Sequence, residues 1–220
     1  MPAIVQEYMD KVNAKIGTNY KLFNYHGAED AEHVIIAMGS VCETIDETVD
    51  YLVAAGKKVG VVKVRLYRPF SAKALIEAIP ESAKVISVLD RTKEPGAQGE
   101  PLYLDVVAAL KGTKFDGVKV LTGRYGLGSK DTTPAQIVAV YNNTEKERFT
   151  IGIVDDVTHL SLDEAKHLLL HQKEQSTVSS GDLVLMVLLE QIRTLSRSLV
   201  TIQICMHRHT LIMTPKNPAV

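Results

Sequence analysis

The segment that most constrains the fold is HVIIAMGSVCETIDETVDYL (33–52). Its first seven residues form an unbroken apolar run ending in glycine. A strand with one wet face alternates polar and apolar residues; an unbroken run bounded by a turn residue suits a strand covered on both faces. Gly39 turns the chain, and the apolar period then changes from two to about 3.6. Val41, Ile45, Val49 and Leu52 fall on one helical face, and Gly56 supplies a stop. Ser40, followed three residues later by Glu43, reads as a capping box at the helix start.

The same strand-then-helix unit recurs downstream. KVGVVKVRLY (58–67) is a second strand, broken by Pro69. Ser71 opens a helix through Leu75, Ile76 and Ile79 that Pro80 closes. AKVISVLDR (83–91) is a third strand, and PLYLDVVAALK (101–111) a helix with Pro101 suited to its first turn. GVKVLTGRYG (117–126) is a fourth strand. Thr133 and Pro134 open the helix PAQIVAVYNN, and RFTIGIVDD (148–156) is a further strand. Ahead of them, YKLFNYHGAED is a short strand or an extended entry. Ala3 to Ile16 forms an N-terminal helix, with Ile4, Val5, Met9, Val12 and Ile16 near one face and Gly17 as its stop. Short connections between alternating strands and helices require right-handed crossovers, hence a doubly wound α/β fold with a mostly parallel sheet. About five strands in ~150 residues can fold alone.

Several function classes drop out on composition. The net charge of −1 gives no global field toward nucleic acid or an anionic membrane. Two cysteines, Cys42 and Cys205, are too few for a disulfide framework or a cysteine-rich metal site, so a reducing cytoplasm is the expected compartment. The N-terminus lacks a signal-peptide core, and no apolar run reaches the ~18–20 residues that span a bilayer.

Candidate chemistry collects where strands end, the edge at which open α/β sheets place ligands. LDRTKEPGAQGEPLY (89–103) carries Asp90, Arg91, Lys93 and Glu94 on a glycine-containing loop. Such a loop suits an interdomain contact or an anion; the plainer reading is a solvated crossover. GRYGLGSKDTTP (123–134) enters a helix N-terminus, which favours an anion, but its glycine spacing is not the dinucleotide fingerprint, and a structural loop is the favoured reading. Arg65 and Arg68 in VRLYRPF suit an anion clamp, a neighbouring domain's carboxylates, or a surface ion pair. Cys42, in the first turn of a helix, has the position of an activated thiol; packing as a small buried residue is favoured. No metal-ligand spacing, phosphate loop or catalytic triad is present.

YKLFNYHGAEDAEHVIIAMGSVCETIDETVDYL, VGVVKVRLYRPFSAKALIEAIP, VLDRTKEPGAQGEPLYLDVVAAL, GRYGLGSKDTTPAQIVAVYNN and FTIGIVDDVTHLSL closely resemble consecutive segments of pyruvate:ferredoxin (flavodoxin) oxidoreductases. The likeness runs from about residue 3 to 162 and falls on the second domain of that large enzyme, itself similar to the C-terminal domain of transketolases. The resemblance implies a parent that converts pyruvate and coenzyme A to acetyl-CoA and CO2, with electrons passing to ferredoxin or flavodoxin. It implies thiamine diphosphate, magnesium and iron–sulfur clusters held by other domains, and a homodimeric parent. No motif for these cofactors occurs in this chain, so no catalytic, cofactor or metal residue carries over. The implied role of residues 1–165 is structural and interdomain, with Arg65, Arg68, Asp90, Arg91, Lys93 and Glu94 as contact candidates and no activity of its own. The alternatives are a freestanding small-molecule-binding module using loops 89–99 and 123–131, and a membrane-associated adaptor working through the tail.

The tail, 166–220, has a different character. All twelve Phe and Tyr residues precede position 150, and thirteen of fourteen Gly precede 167; ten Leu and four of the seven His follow Lys166. Taken at face value, 183–204 forms an amphipathic helix with Leu185, Leu188, Leu189, Ile192, Leu195 and Leu199 near one face and a basic pair, Arg193 and Arg197. His207 and His209 are two metal ligands without partners. A shifted reading frame explains more. Taking the third base of each codon with the first two of the next, Met186–Val187 dictates Gly, Met206–His207 Ala and Met213–Thr214 Asp. With synonymous codons chosen elsewhere, the tail decodes to a string containing CKFWGLGADGTVGANK, which resembles the start of the family's third domain, a Gly-rich segment the family implicates in coenzyme A binding. The expected organisation is therefore an N-terminal helix (1–17), a transketolase C-terminal-like α/β domain (18–165), and an out-of-frame tail (166–220), irregular or helical, without a domain of its own.

Overall fold

In the computed structural model, the described residues are 1–154 and 156–164. The tail lies outside them, and with it the 183–204 helix reading and the His207/His209 pair. The fold is an open α/β sheet. The elements run α1 (Pro2–Ile16), β1 (Phe23–Gly27), β2 (His33–Ala37), α2 (Val41–Ala54), β3 (Val59–Val64), α3 (Ala72–Ala78), β4 (Val85–Asp90), α4 (Pro101–Leu110), β5 (Lys119–Arg124), α5 (Pro134–Asn142) and β6 (Arg148–Thr150). A single 3-10 turn, Leu127–Ser129, interrupts the β5–α5 connection.

The six strands lie in the order β1-β3-β2-β4-β5-β6. From β3 across to β6 all neighbours are parallel. The sixth strand, β1, is the segment whose strand character the sequence left open. It pairs antiparallel with β3, Phe23 opposite Val64 and Gly27 opposite Gly60, and so closes one edge. At the other edge β6 is three residues long, shorter than the 148–156 run suggested, because Gly152 turns the chain at a φ of 75°.

The pleat divides the core into two layers. Ile35 and Ala37 of β2 pack with Ile45, Val49 and Leu52 of α2 and with Ile137 and Val140 of α5. Val34 and Ile36 point the other way, toward Leu75 of α3 and Leu102 and Val106 of α4. All five residues of β2 are buried, as an unbroken apolar run requires. Fully burying each such aliphatic side chain contributes about 1.5–3 kcal/mol.

Local signals succeeded unevenly. Ser71 accepts from the Ala74 amide, and Thr133 forms a reciprocal box with Gln136. The box expected between Ser40 and Glu43 does not form. Ser40 is already in the helical region (φ −65°, ψ −24°), so its hydroxyl is not aimed at the first-turn amides, and no side chain caps α2. Among the described residues, no helix is long and apolar enough to cross a membrane.

Candidate functional site

Strand order reverses at β2. The chain leaves β2 through α2 to reach β3 on one side, then crosses back through α3 to β4 on the other. Two loops therefore diverge from neighbouring strand ends, and a crevice opens between them at the carboxyl edge. Its floor is Tyr125, 5% exposed, whose amide donates to the Asp90 carbonyl and whose hydroxyl donates to the Met38 carbonyl at 3.0 Å. One residue, through its amide and its phenol, thereby ties the exits of β2, β4 and β5 together. Burial raises the pKa of this hydroxyl, keeping it a neutral donor.

Above the floor is a cleft of about 350 Å³. Ser40, Val41 and Thr44 from the start of α2 form one wall; Arg91, Gly126 and the Lys130–Thr132 segment form the other. Gly126 has a φ of 60° and lies under the Arg91 side chain; a Cβ there would come 2.9 Å from Nε. Glycine at this position satisfies the backbone and leaves the arginine its seat. Cys42, one residue inside α2, is not an activated thiol. Burial pushes its pKa up to about 11, outweighing any helix-terminus effect, so the packing reading holds.

The loop after β4 is fixed from beneath. Asp90 is 4% exposed, and its two carboxylate oxygens accept from the amides of Leu102 (3.1 Å) and Tyr103 (3.2 Å). Asp90 thus caps α4 from the end of a different element, a buried role rather than a surface one. Desolvation raises its pKa, opposed by those two amide bonds. Glu100 is almost wholly buried. It pairs with the Arg124 guanidinium and accepts from the Glu94 amide at 2.8 Å. Arg148 donates to the Gln98 carbonyl. The 91–100 loop is therefore held at three points, with Arg91, Lys93 and Glu94 exposed on its surface.

The other two contact candidates sit elsewhere and are engaged within the domain. Arg65 donates to Asn24 at 2.9 Å and lies over the Tyr20 ring. Arg68 pairs with Asp105 at 2.7 Å and stacks on Tyr67. Sequence reading singled out neither Glu100 nor Tyr125. Glu100 precedes a proline at a helix start and looks like a solvent-facing cap; only its burial beside Arg124 marks it.

The family description "Pyruvate:ferredoxin oxidoreductase core domain II" matches residues 31–137, from just before β2 into α5. A pyruvate:ferredoxin oxidoreductase of Moorella thermoacetica is 53% identical over 171 residues, covering 76% of this chain and 14% of its own length. Residues 31–137 thus belong to the pyruvate:ferredoxin oxidoreductase family, as its core domain II. A pyruvate-flavodoxin oxidoreductase of Rhodospirillum rubrum is 55% identical over 172 residues, and one from a Nostoc species 57% over 159. The chain spans about 14–15% of the length of most of these curated relatives, and 39% of that Nostoc protein. A solved 2-oxoglutarate:ferredoxin oxidoreductase of Magnetococcus marinus aligns over 64% of this chain at 23% identity and a TM-score of 0.43.

The described residues do not fit an iron–sulfur cluster. An iron–sulfur cluster needs several cysteine thiolates, and Cys42, buried, is the sole cysteine among the described residues. No group of three or more potential metal ligands occurs among them.

Proposed function

We propose that residues 1–165 play a structural, interdomain role within an enzyme that converts pyruvate and coenzyme A to acetyl-CoA and CO2 and delivers electrons to ferredoxin or flavodoxin, and that this chain alone is inactive. The observation that carries the interdomain role is α1. Its residues Ile4, Tyr8, Val12 and Ile16 recur every four positions, forming one stripe, and are 53%, 62%, 44% and 63% exposed. The neighbouring positions Val5 and Met9 pack against the core, so α1 is docked while its second apolar stripe faces outward. An exposed stripe of this kind is an interaction surface. Its occupant is another domain of the same enzyme, because relatives with over half their aligned residues identical are about seven times longer than the matched region. Lys93 and Glu94 supply a charged rim elsewhere on the surface.

The test is reconstitution with the Moorella enzyme from which core domain II has been excised. The native chain binds it and restores pyruvate-dependent reduction of ferredoxin. A Tyr8→Glu/Val12→Glu variant, folded by circular dichroism, loses at least tenfold in affinity, consistent with two apolar anchors worth about 1 kcal/mol or more each. Equal binding by the variant rejects α1 as the docking face. Thiamine diphosphate, magnesium and the clusters belong, on this reading, to the remaining domains.

The same reading makes residues 166–220 an out-of-frame replacement for the start of the next domain. What supports it is composition: all twelve Phe and Tyr residues precede position 150 and thirteen of fourteen Gly precede 167. Sequencing the coding DNA decides the point. An open second frame encoding the Gly-rich segment is expected; stop codons or unrelated sequence there end the proposal.

A further inference from the structure

The crevice between β2 and β4 carries features that docking does not explain. Every other arginine among the described residues has a hydrogen-bonded partner: Arg65 with Asn24, Arg68 with Asp105, Arg124 with Glu100 and Arg148 with Gln98. Arg91 has none, although Asp90 and Glu94 are close in sequence and Gly126 makes room for its stem. Lys130, on the same wall of the cleft, also lacks a hydrogen bond or ion pair, as does Asp131 beside it. The unoccupied donors converge on the reversal point of the sheet, where this architecture places small ligands.

We propose that this cleft binds a phosphorylated small molecule bearing a hydroxyl or amino arm. The Arg91 guanidinium, with its fork of donors, and the Lys130 ammonium hold the phosphoryl oxygens. Ser40, Thr44 and Thr132 line the cleft with hydroxyls that donate to the remaining oxygens. Asp131 repels a bare anion and accepts from the hydroxyl or ammonium arm, which makes inorganic phosphate alone the poorer ligand. The cleft volume, about 350 Å³, accommodates a molecule of sugar-phosphate size. The site is independent of the α1 docking face: α1 packs against the layer containing α3 and α4, whereas Ser40, Val41 and Thr44 begin a helix of the other layer.

The experiment titrates ribose 5-phosphate, inorganic phosphate and acetate into the full 220-residue chain, followed by calorimetry and by thermal shift. Ribose 5-phosphate is expected to bind more tightly than phosphate, and acetate weakest. Arg91→Gln and Lys130→Gln, both at exposed side chains, each weaken ribose 5-phosphate by about tenfold or more while leaving the unliganded melting temperature unchanged. Asp131→Asn narrows the gap between ribose 5-phosphate and phosphate. Lys57→Gln, at the amino edge of the sheet, has no effect. Absence of ribose 5-phosphate binding to the native chain overturns the proposal. So does equal binding by native, Arg91→Gln and Lys130→Gln chains, or acetate binding as tightly as ribose 5-phosphate. None of these outcomes bears on reconstitution, which is read through α1.

Discussion

His33 opens the most buried strand of the sheet and is itself 8% exposed. Nδ1 lies 3.1 Å from the Tyr141 carbonyl, which can only accept, so Nδ1 carries the proton; Nε2, 2.8 Å from the Ser87 hydroxyl, accepts. The ring is neutral, and burial lowers its pKa from 6.5 to about 4. Above pH 6.5 folded and unfolded chains both hold it neutral, and the histidine adds no pH dependence. As the pH falls from 6.5, the unfolded chain takes up a proton that the folded chain refuses until about pH 4. Stability is lost across that window at up to about 1.4 kcal/mol per pH unit, roughly 3 kcal/mol in all. Urea midpoints measured through it should fall more steeply for the native chain than for His33→Gln. Parallel slopes would mean that His33 is protonated in the fold. In the sequence His33 merely opens the 33–39 run, since its two partners lie 54 and 108 positions away.

At the scale of elements, the helix starts show which signals travel. Thr133 and Ser71 cap from the adjacent residue, and their geometry depends only on local backbone, so the sequence is enough. Ser40 has the same chemistry but enters its helix already in helical backbone, a choice made by the turn at Gly39 and the packing of α2 against β2 and β3. For α4 the cap is Asp90, which reaches across from the end of β4. Asp90→Ala leaves two first-turn amides without their acceptor inside the protein and should cost about 1–2 kcal/mol, a loss of several degrees in melting temperature. An unchanged melting temperature would show that the carboxylate's desolvation cancels its capping. The contact candidates divide for the same reason. Arg91, Lys93 and Glu94 are exposed as their loop suggested, whereas Asp90 in the same run turns inward to satisfy the helix.

For the whole molecule, the two core layers among the described residues are built from a limited span of the chain. Leu22 is the first buried core residue and Ile151 the last, with Leu162 packed against them. A chain cut after Glu164 should therefore unfold cooperatively, with a melting temperature within a few degrees of the full chain. Loss of the transition on truncation would show that residues beyond 164 belong to the folding unit. That outcome would also count against an out-of-frame tail, because unselected Leu and Ile have no fitted surface to bury against.

The sequence by itself determined the layer architecture, the order and approximate limits of the strands and helices, and the resemblance to the oxidoreductase domain. Each of these is written in local period, local turn chemistry or contiguous strings. Tertiary structure alone decided that β1 closes an edge antiparallel, that Asp90 and Glu100 face inward, that Arg91 is left without a partner above Gly126, and that one stripe of α1 remains uncovered. Those outcomes depend on which distant side chains reach the same few ångströms, and on which polar groups must be satisfied once water is excluded. No single stretch of chain contains that information.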